Sequence, residues 1–257
     1  MNRRNFLTLT GTFTGGSFLL PQFLHAFGTR SNLALKGEEP HSITVKDPNR
    51  YKIRSDKEKQ AVLSANPQLD FVRKIAHSVV EGSEDIQKAL SKSTSEVSYP
   101  KTNLGKNLEW IARLVKGNLN SKVYYTSQNG YDTHDNQLNI HHRNLTELND
   151  ALAGFYKDMK QSNLLQNVTV VVFSEFGRRV KDNGNGTDHG TAAPMFVIGG
   201  NTKGKVMGTN PDLSQLNNGD LIHKIDFRSV YAGLLTDKLN FDPQLIGIKN
   251  AAIQGLF

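Results

Sequence analysis

A run of six residues, Val168-Thr169-Val170-Val171-Val172-Phe173, is the feature that most constrains the fold of this chain. Its β-branched residues favour a strand, and the lack of apolar–polar alternation predicts that both faces of the strand are covered. The run follows a helical pattern from about Gln137 to Gln161 with an apolar face. That face consists of Leu138, Leu145, Leu148, Leu152, Phe155 and Met159. A buried strand beside an amphipathic helix indicates an α/β protein with a mostly parallel sheet.

Two further strands are predicted around this pair, at Val123–Thr126 and Pro194–Ile198. The first of them, the long helix and the apolar run together have the spacing of one right-handed βαβ unit. Apolar periodicity predicts another helix from Asn103 to Leu119, and Asp226 is a good N-cap for a last helix through about Leu235. Residues 57–94 also have a helical pattern, with Pro67 placed to open a second helix there. We therefore expect one α/β domain over residues 57–257, in which residues 120–257 are the part that resembles a known family, as described below.

The N-terminus has the pattern of an export signal over residues 1–26. Asn2-Arg3-Arg4-Asn5-Phe6-Leu7 is followed by an uncharged stretch from Thr8 to Leu24 and a processing region at Ala26. This is typical of a twin-arginine signal, and an arginine pair on a general secretory signal would also export the protein. Gly11, Gly15 and Gly16 interrupt the stretch, so it is a poor permanent membrane span. We expect a periplasmic or otherwise exported protein.

Residues 27–56 have little periodicity and are expected to form a linker, with one short strand at Ser42–Val45. The formal net charge is +7, and many basic residues between Lys46 and Lys122 are mixed with acids. This predicts a solvated surface. The less favoured alternative is a surface that attracts anions weakly. No nucleic-acid-binding motif stands out, so we expect no nucleic-acid partner. The chain has no cysteine, which excludes disulfides and thiolate metal sites.

Three clusters of acids and histidines carry the candidate chemistry. They are Gly130-Tyr131-Asp132-Thr133-His134-Asp135, Ser174-Glu175-Phe176-Gly177-Arg178 and Gly186-Thr187-Asp188-His189-Gly190. Each lies beside a predicted strand, where an open α/β sheet places its active site. Carboxylate oxygens and imidazole nitrogens together suit a divalent metal such as zinc or manganese. The predicted ligands are Asp132, His134, Glu175, Asp188 and His189.

Each cluster also has a simpler interpretation. Asp132 or Asp135 can serve only to cap the long helix, and Arg178 can pair with Glu175 or Asp188 instead of binding an anionic substrate. Glu175 follows an apolar strand, where a carboxylate is costly unless it is paired or metal-bound. Ser174 has the residue type of a nucleophile, but no Gly-x-Ser-x-Gly elbow surrounds it. The catalytic residues therefore stay unassigned.

From Asn129 onward the chain resembles an exported bacterial family of unassigned function, the domain-of-unknown-function family numbered 1501. The three clusters carry the resemblance, together with Gly199-Gly200 and Asp226-Phe227-Arg228-Ser229-Val230-Tyr231. The family looks like a branch of the alkaline phosphatase and sulfatase superfamily. The resemblance implies a partial version of that three-layer sandwich and hydrolysis of phosphate or sulfate esters.

Carried onto this sequence, the resemblance implies that Asp132 and His134 bind one metal and that His189, with Asp188 beside it, completes the site. Glu175 would begin a second pair of ligands, with Phe176 in place of the expected histidine. Members of the family also carry a longer segment after the export signal, so an internally shortened member is expected here. Two readings follow: a metal-dependent ester hydrolase that is incomplete or inactive, or a non-catalytic exported protein that binds a metal or ligand. A short sheet would also favour self-association or a partner chain.

Overall fold

The structure is a computed structural model that describes residues 24–27, 42–45 and 82–257. The helices in this part of the chain are α1 (residues 82–91), α2 (Asn103–Lys116), α3 (Gln137–Gln161) and α4 (Phe227–Leu239). The strands are β1 (Leu24–Phe27), β2 (Ser42–Val45), β3 (Tyr124–Thr126), β4 (Thr169–Val172), β5 (Gly177–Asp182), β6 (Thr187–Gly190), β7 (Phe196–Gly199), β8 (Leu216–Asn217) and β9 (Asp220–Leu221). Short 3-10 helices lie at Leu165–Asn167 and Pro243–Ile246.

The strands form small sheets that mix both directions. β1 pairs in parallel with β2 and β3, whereas the pairs β4–β7, β5–β6 and β8–β9 are antiparallel. The predicted α/β class is confirmed, but the described strands do not build the expected mostly parallel sheet or a three-layer sandwich. Nor do β3 and β4 pair as a βαβ unit, because each has other neighbours. The chain between β4 and β7 contains a hairpin and not a crossover helix, so β7 returns antiparallel.

The chain divides into two compact units, residues 1–128 with 150–158 and residues 129–149 with 159–257. In the first unit, α2 begins where the Thr102 side chain accepts a hydrogen bond from the Gly105 backbone N–H. Leu104, Leu108, Ile111 and Leu114 are buried on one face, as the sequence predicts. The helix ends at Gly117, earlier than predicted. A side chain at Gly117 would collide with the Ala89 carbonyl oxygen at 2.1 Å, so glycine allows α2 to approach α1 closely.

A buried ion pair in the first unit joins α2 to the segment of α3 at residues 150–158. The Asp158 carboxylate is 3% exposed and lies 2.8 Å from Lys116 Nζ. Ser95 and Tyr99 donate hydrogen bonds to its second oxygen at 2.7 and 3.1 Å. Burial and the charge of Asp158 raise the pKa of Tyr99 above its ordinary value, so its hydroxyl stays a donor. All four polar groups are satisfied, which is the condition for tolerating a buried charge.

The apolar face of α3 is buried only in its C-terminal half. Ala151, Phe155 and Met159 are buried, whereas Leu138 is 83% exposed and Leu145 is 52% exposed. The sequence pattern identified this apolar face, and the structure covers only its C-terminal half. The 3.6-residue period identifies a face, but only packing decides whether that face is covered.

The second unit combines β4–β7 with α4 and the C-terminal segment. Val230 and Ala232 of α4 and Ile248 are buried, while the side chains of β4 are half-buried. Asp226 caps α4 as predicted, accepting from the Arg228 backbone N–H at 2.8 Å. The Arg228 side chain also donates to this carboxylate and lowers the pKa of Asp226 to about 2. The helix continues to Leu239, where Asn240 adopts a left-handed conformation and ends it.

Several predictions concern residues outside the described ranges. These are the twin-arginine signal before Leu24, most of the linker over 27–56, and the helix start at Pro67. The short strand at Ser42–Val45 is confirmed as β2. The expected processing position at Ala26 falls within β1, which pairs with two other strands. Among the described helices, none is long and apolar enough to cross a membrane.

We expect Asp158→Ala to lower the free energy of unfolding by about 3–5 kcal/mol, because it leaves the Lys116 charge without its buried partner. Urea unfolding followed by circular dichroism measures this change. Lys157→Ala removes an exposed charged group from the same helix and should change the free energy by no more than about 0.5 kcal/mol. Equal effects of the two substitutions would contradict a structural role for the buried pair.

Candidate metal centre

Three side chains that the sequence predicts as metal ligands come together in the second unit. Asp132 Oδ1 lies 2.6 Å from His189 Nε2 and 3.1 Å from His134 Nε2. One donor atom from each residue lies within 4.8 Å of the others. The three side chains are 44% to 65% exposed, so solvent and small solutes reach the group. The arrangement has the donor types of a divalent-metal site that is open on one side.

The exposure of residues 132–134 alternates, as it would along an extended segment. Residues two apart in an extended segment point to the same side, and the residue between them points to the other. Asp132 and His134 are accordingly exposed, while Thr133 is only 6% exposed. Thr133 is a contributor that the sequence analysis missed. Its position in the sequence, between the candidate ligands Asp132 and His134, could have indicated that it helps to fix the loop.

The hairpin β5–β6 brings His189 to this loop through close backbone packing. A side chain at Gly186 would meet the His134 backbone at 2.6 Å, so only glycine permits the approach. Asn183 Nδ2 donates to the His134 carbonyl oxygen at 3.1 Å, and the Gln137 N–H donates to the Asn185 carbonyl oxygen at 3.2 Å. The hairpin turn is thus fastened to the loop and to the start of α3.

Arg178 fixes the same two segments from the other end of the hairpin. Its Nη1 donates to the Thr187 carbonyl oxygen at 2.5 Å, and its Nη2 donates to the Tyr131 carbonyl oxygen and, at 3.2 Å, to Thr133 Oγ1. The Thr133 hydroxyl is also 2.9 Å from His141 Nε2. These N–H groups of the guanidinium therefore donate to protein atoms. Its predicted contact with an anionic substrate stays a prediction.

Asp188 contacts the opposite side of the His134 ring from Asp132. Its Oδ1 lies 3.1 Å from His134 Nδ1, while Nε2 of the same ring faces Asp132. Asp188 is therefore adjacent to the group without being one of its three members.

Two aromatic contacts define the surroundings of His189. The Phe176 ring stacks on it with centroids 3.9 Å apart and planes 5° apart. The His134 ring stacks on it at 5.2 Å. Arg178 lies over the Phe176 ring at 5.1 Å. Phe176 thus takes part in the site as an apolar neighbour of a histidine.

Glu175 is exposed in the loop after β4 and does not belong to the three-residue group. The argument that its burial would require a metal or a partner therefore does not apply, because water reaches the carboxylate. Its assignment as a ligand stays a prediction.

The groups around the Asp132 carboxyl stabilise its ionised form. The hydrogen bond from His189 is the largest cause that lowers the pKa of the Asp132 carboxyl, and the charge of Arg178 acts in the same direction. Asp132 is therefore an anion at neutral pH. Together with Asp188, it places two carboxylates around His134.

Fold and site together define an α/β protein with a candidate Asp–His–His metal centre. The sequence model of the family described as "Protein of unknown function (DUF1501)" matches residues 45–238, and the chain belongs to this family. The match includes all three acid–histidine clusters and extends upstream of the segment that first indicated the resemblance. Neither the curated proteins nor the solved structures give a match to the chain.

We expect Gly186→Ala to separate the hairpin from the loop, because the new methyl group would overlap the His134 backbone. The free energy of unfolding should fall by about 1–3 kcal/mol, and the amide signals of Asp132 to His134 should shift in NMR spectra. Gly233→Ala is the matched control. It adds a methyl group in α4 at an ordinary 3.4 Å from Ile253, so it should be neutral or stabilising. Unchanged loop signals in Gly186→Ala would contradict the packing argument.

Proposed function

We propose that this protein is an exported, metal-binding member of the alkaline phosphatase and sulfatase superfamily, related to metal-dependent hydrolases of phosphate or sulfate esters. The observation that supports the proposal best is the convergence of Asp132, His134 and His189, which come from two segments far apart in the sequence. We propose with it a partial version of the three-layer sandwich of that superfamily, extending beyond the strands that the structure describes.

The donor set fits zinc or manganese. One carboxylate oxygen and two imidazole nitrogens are ligands that both ions accept, and no soft sulfur donor is involved. Bonds from zinc to such atoms are each about 2 Å long, so donors spaced 2.6 and 3.1 Å apart are close enough to share one ion. Of the other two predicted ligands, Glu175 stays a candidate for completing the coordination, whereas Asp188 contacts the far nitrogen of His134.

A bound divalent ion would polarise an ester oxygen and activate an attacking group. The chain's own contribution is to hold three donors on an exposed surface, so that an anionic phosphate or sulfate ester can approach. The Arg178 guanidinium stiffens the site through Tyr131 and Thr187, and its charge favours an anion nearby. The substrate class in this proposal is therefore a small anionic ester.

A non-catalytic metal- or ligand-binding protein is the second candidate, and the hydroxyl groups near the site favour it. Thr187 Oγ1 donates to Gln137 Oε1 at 2.8 Å, and Thr133 is buried. The Ser174 hydroxyl accepts from the Phe176 N–H at 3.4 Å. Thr187 therefore faces an amide oxygen and not a base, and the Thr133 hydroxyl, which lies 2.9 Å from His141 Nε2, is buried away from an approaching substrate. Correct alignment of the attacking group supplies on the order of 7–11 kcal/mol of the barrier in well-oriented systems, so we expect low turnover.

Self-association is also part of the proposal. Leu138 and Leu145 expose apolar area on α3, and the two-stranded sheet β4–β7 carries an exposed Phe196. Exposed apolar side chains beside a short sheet favour contact with another chain.

We expect the purified protein to bind zinc or manganese, and Asp132→Ala, His134→Ala and His189→Ala each to abolish that binding. Metal analysis after dialysis and calorimetric titration measure it. His142→Ala is the control, because it removes an exposed histidine of α3 that is not in the group. A screen with phosphate and sulfate esters on the same samples should show little turnover.

Two outcomes would contradict these proposals. Wild-type protein that binds neither ion would remove the metal site. Rapid ester hydrolysis that disappears on chelation and in Glu175→Ala would establish the hydrolase and remove the non-catalytic alternative.

Export rests on Arg3 and Arg4 with the uncharged stretch that follows them. We expect the double substitution Arg3→Lys and Arg4→Lys to keep the protein in the cytoplasm, because the twin-arginine pathway requires both arginines. Fractionation of cells and immunoblotting measure the distribution. Unchanged delivery across the membrane would rule out this pathway while leaving a general secretory route open.

A further inference from the structure

We propose that Asp188 and Phe176 are positioning residues that orient the two histidines of the metal centre without binding the metal themselves. The inference rests on the proposed metal site and assigns different roles to two residues that lie beside it. Asp188 would act on His134, and Phe176 would act on His189.

The argument for Asp188 comes from the two nitrogens of one imidazole ring. His134 Nε2 faces Asp132 at 3.1 Å, inside the group of three donors, whereas Nδ1 faces Asp188 at 3.1 Å. A neutral imidazole binds a metal through one nitrogen and carries its proton on the other. A carboxylate that accepts this proton fixes both the tautomer and the direction of the ring. Asp188 is placed to accept this proton, because its Oδ1 lies at His134 Nδ1, the nitrogen that points away from the three donors.

The argument for Phe176 comes from the ring face of His189. The two rings are nearly parallel, with planes 5° apart and centroids 3.9 Å apart. His189 Nε2 remains directed at Asp132, at 2.6 Å. A flat apolar neighbour on one face restricts rotation of the imidazole and leaves its edge free to donate electrons. The carbon ring of Phe176 has no lone pair to offer a metal, so its contribution is orientation.

Arg178 connects the two positioning residues. Its guanidinium lies over the Phe176 ring at 5.1 Å and donates to the carbonyl oxygen of Thr187, the residue before Asp188. It also donates to the carbonyl oxygen of Tyr131, the residue before Asp132. Arg178 therefore fixes the backbone next to Asp132 and next to Asp188, and it also contacts the Phe176 ring that stacks on His189.

The test uses the full-length protein, zinc as the probe, and histidine labelled with ¹⁵N. Long-range proton–nitrogen NMR correlations distinguish a protonated nitrogen from a metal-bound one. We expect the zinc-bound protein to show His134 protonated at Nδ1 and bound to zinc through Nε2. Zinc bound to His134 Nδ1, or a deprotonated Nδ1, would overturn the role of Asp188. This NMR measurement uses the wild-type protein, so it does not depend on the folding of any variant.

Affinity measurements with a competing chelator complete the test. Asp188→Asn should weaken zinc binding by about 10- to 100-fold while retaining one ion per chain. Phe176→Leu, which keeps apolar volume but removes the stacked ring, should weaken it by about 2- to 12-fold. Asp182→Asn is the control, since it removes the same charge from the same hairpin, at a carboxylate that accepts from the Gly184 N–H.

The outcomes separate this inference from the metal site itself. Wild-type protein without zinc binding would overturn both. Zinc binding that is lost in His189→Ala but equally strong in wild type, Asp188→Asn and Phe176→Leu would overturn only the positioning roles. Weakening by Asp182→Asn as large as that by Asp188→Asn would also overturn the role of Asp188, because general charge would then explain the effect.

Discussion

The contact between Gly186 and the backbone of His134 is the constraint on which the candidate metal centre depends. Asp132 and His189 are 57 positions apart in the chain, so only the meeting of their two segments makes them neighbours. A β-carbon at Gly186 would occupy the space of the His134 carbonyl group. Because glycine lacks this atom, the turn of the β5–β6 hairpin can contact the loop that carries Asp132 and His134. Hydrogen bonds from Asn183 and Arg178 stabilise this contact.

The candidate metal centre is held together mainly by polar contacts, whereas the first unit is stabilised mainly by apolar side chains that it buries. The first unit buries the apolar faces of α1 and α2, and even its charged pair at Asp158 is shielded and satisfied. Around the candidate metal centre, by contrast, the described contacts are hydrogen bonds to backbone carbonyl groups, close glycine packing and ring stacking. Such contacts are directional, so they fix where a side chain points and leave the site open to solvent.

Local signals in the sequence predicted the helices better than the sheets. The bounds of α3 were predicted from its apolar periodicity, and the N-cap at Asp226 follows from short-range chemistry, in which a side chain bonds to the backbone two residues away. The pairing of β4 could not be predicted in this way. Its apolar run indicated a strand, but the hairpin inserted before β7 determined the antiparallel direction. Likewise, periodicity identified the apolar face of α3 but not that Leu138 and Leu145 are exposed.

The sequence by itself determined the chemistry available to this protein: carboxylates and imidazoles without thiols, with Asp132 and His134 in one cluster and Asp188 and His189 in another. Tertiary structure decided which of the five predicted ligands meet. It brought His189 to Asp132, placed Asp188 at the far nitrogen of His134, and left Glu175 exposed outside the group. The physical reason is that residue types and short spacings are properties of the chain, whereas distances between remote segments depend on how the backbone packs.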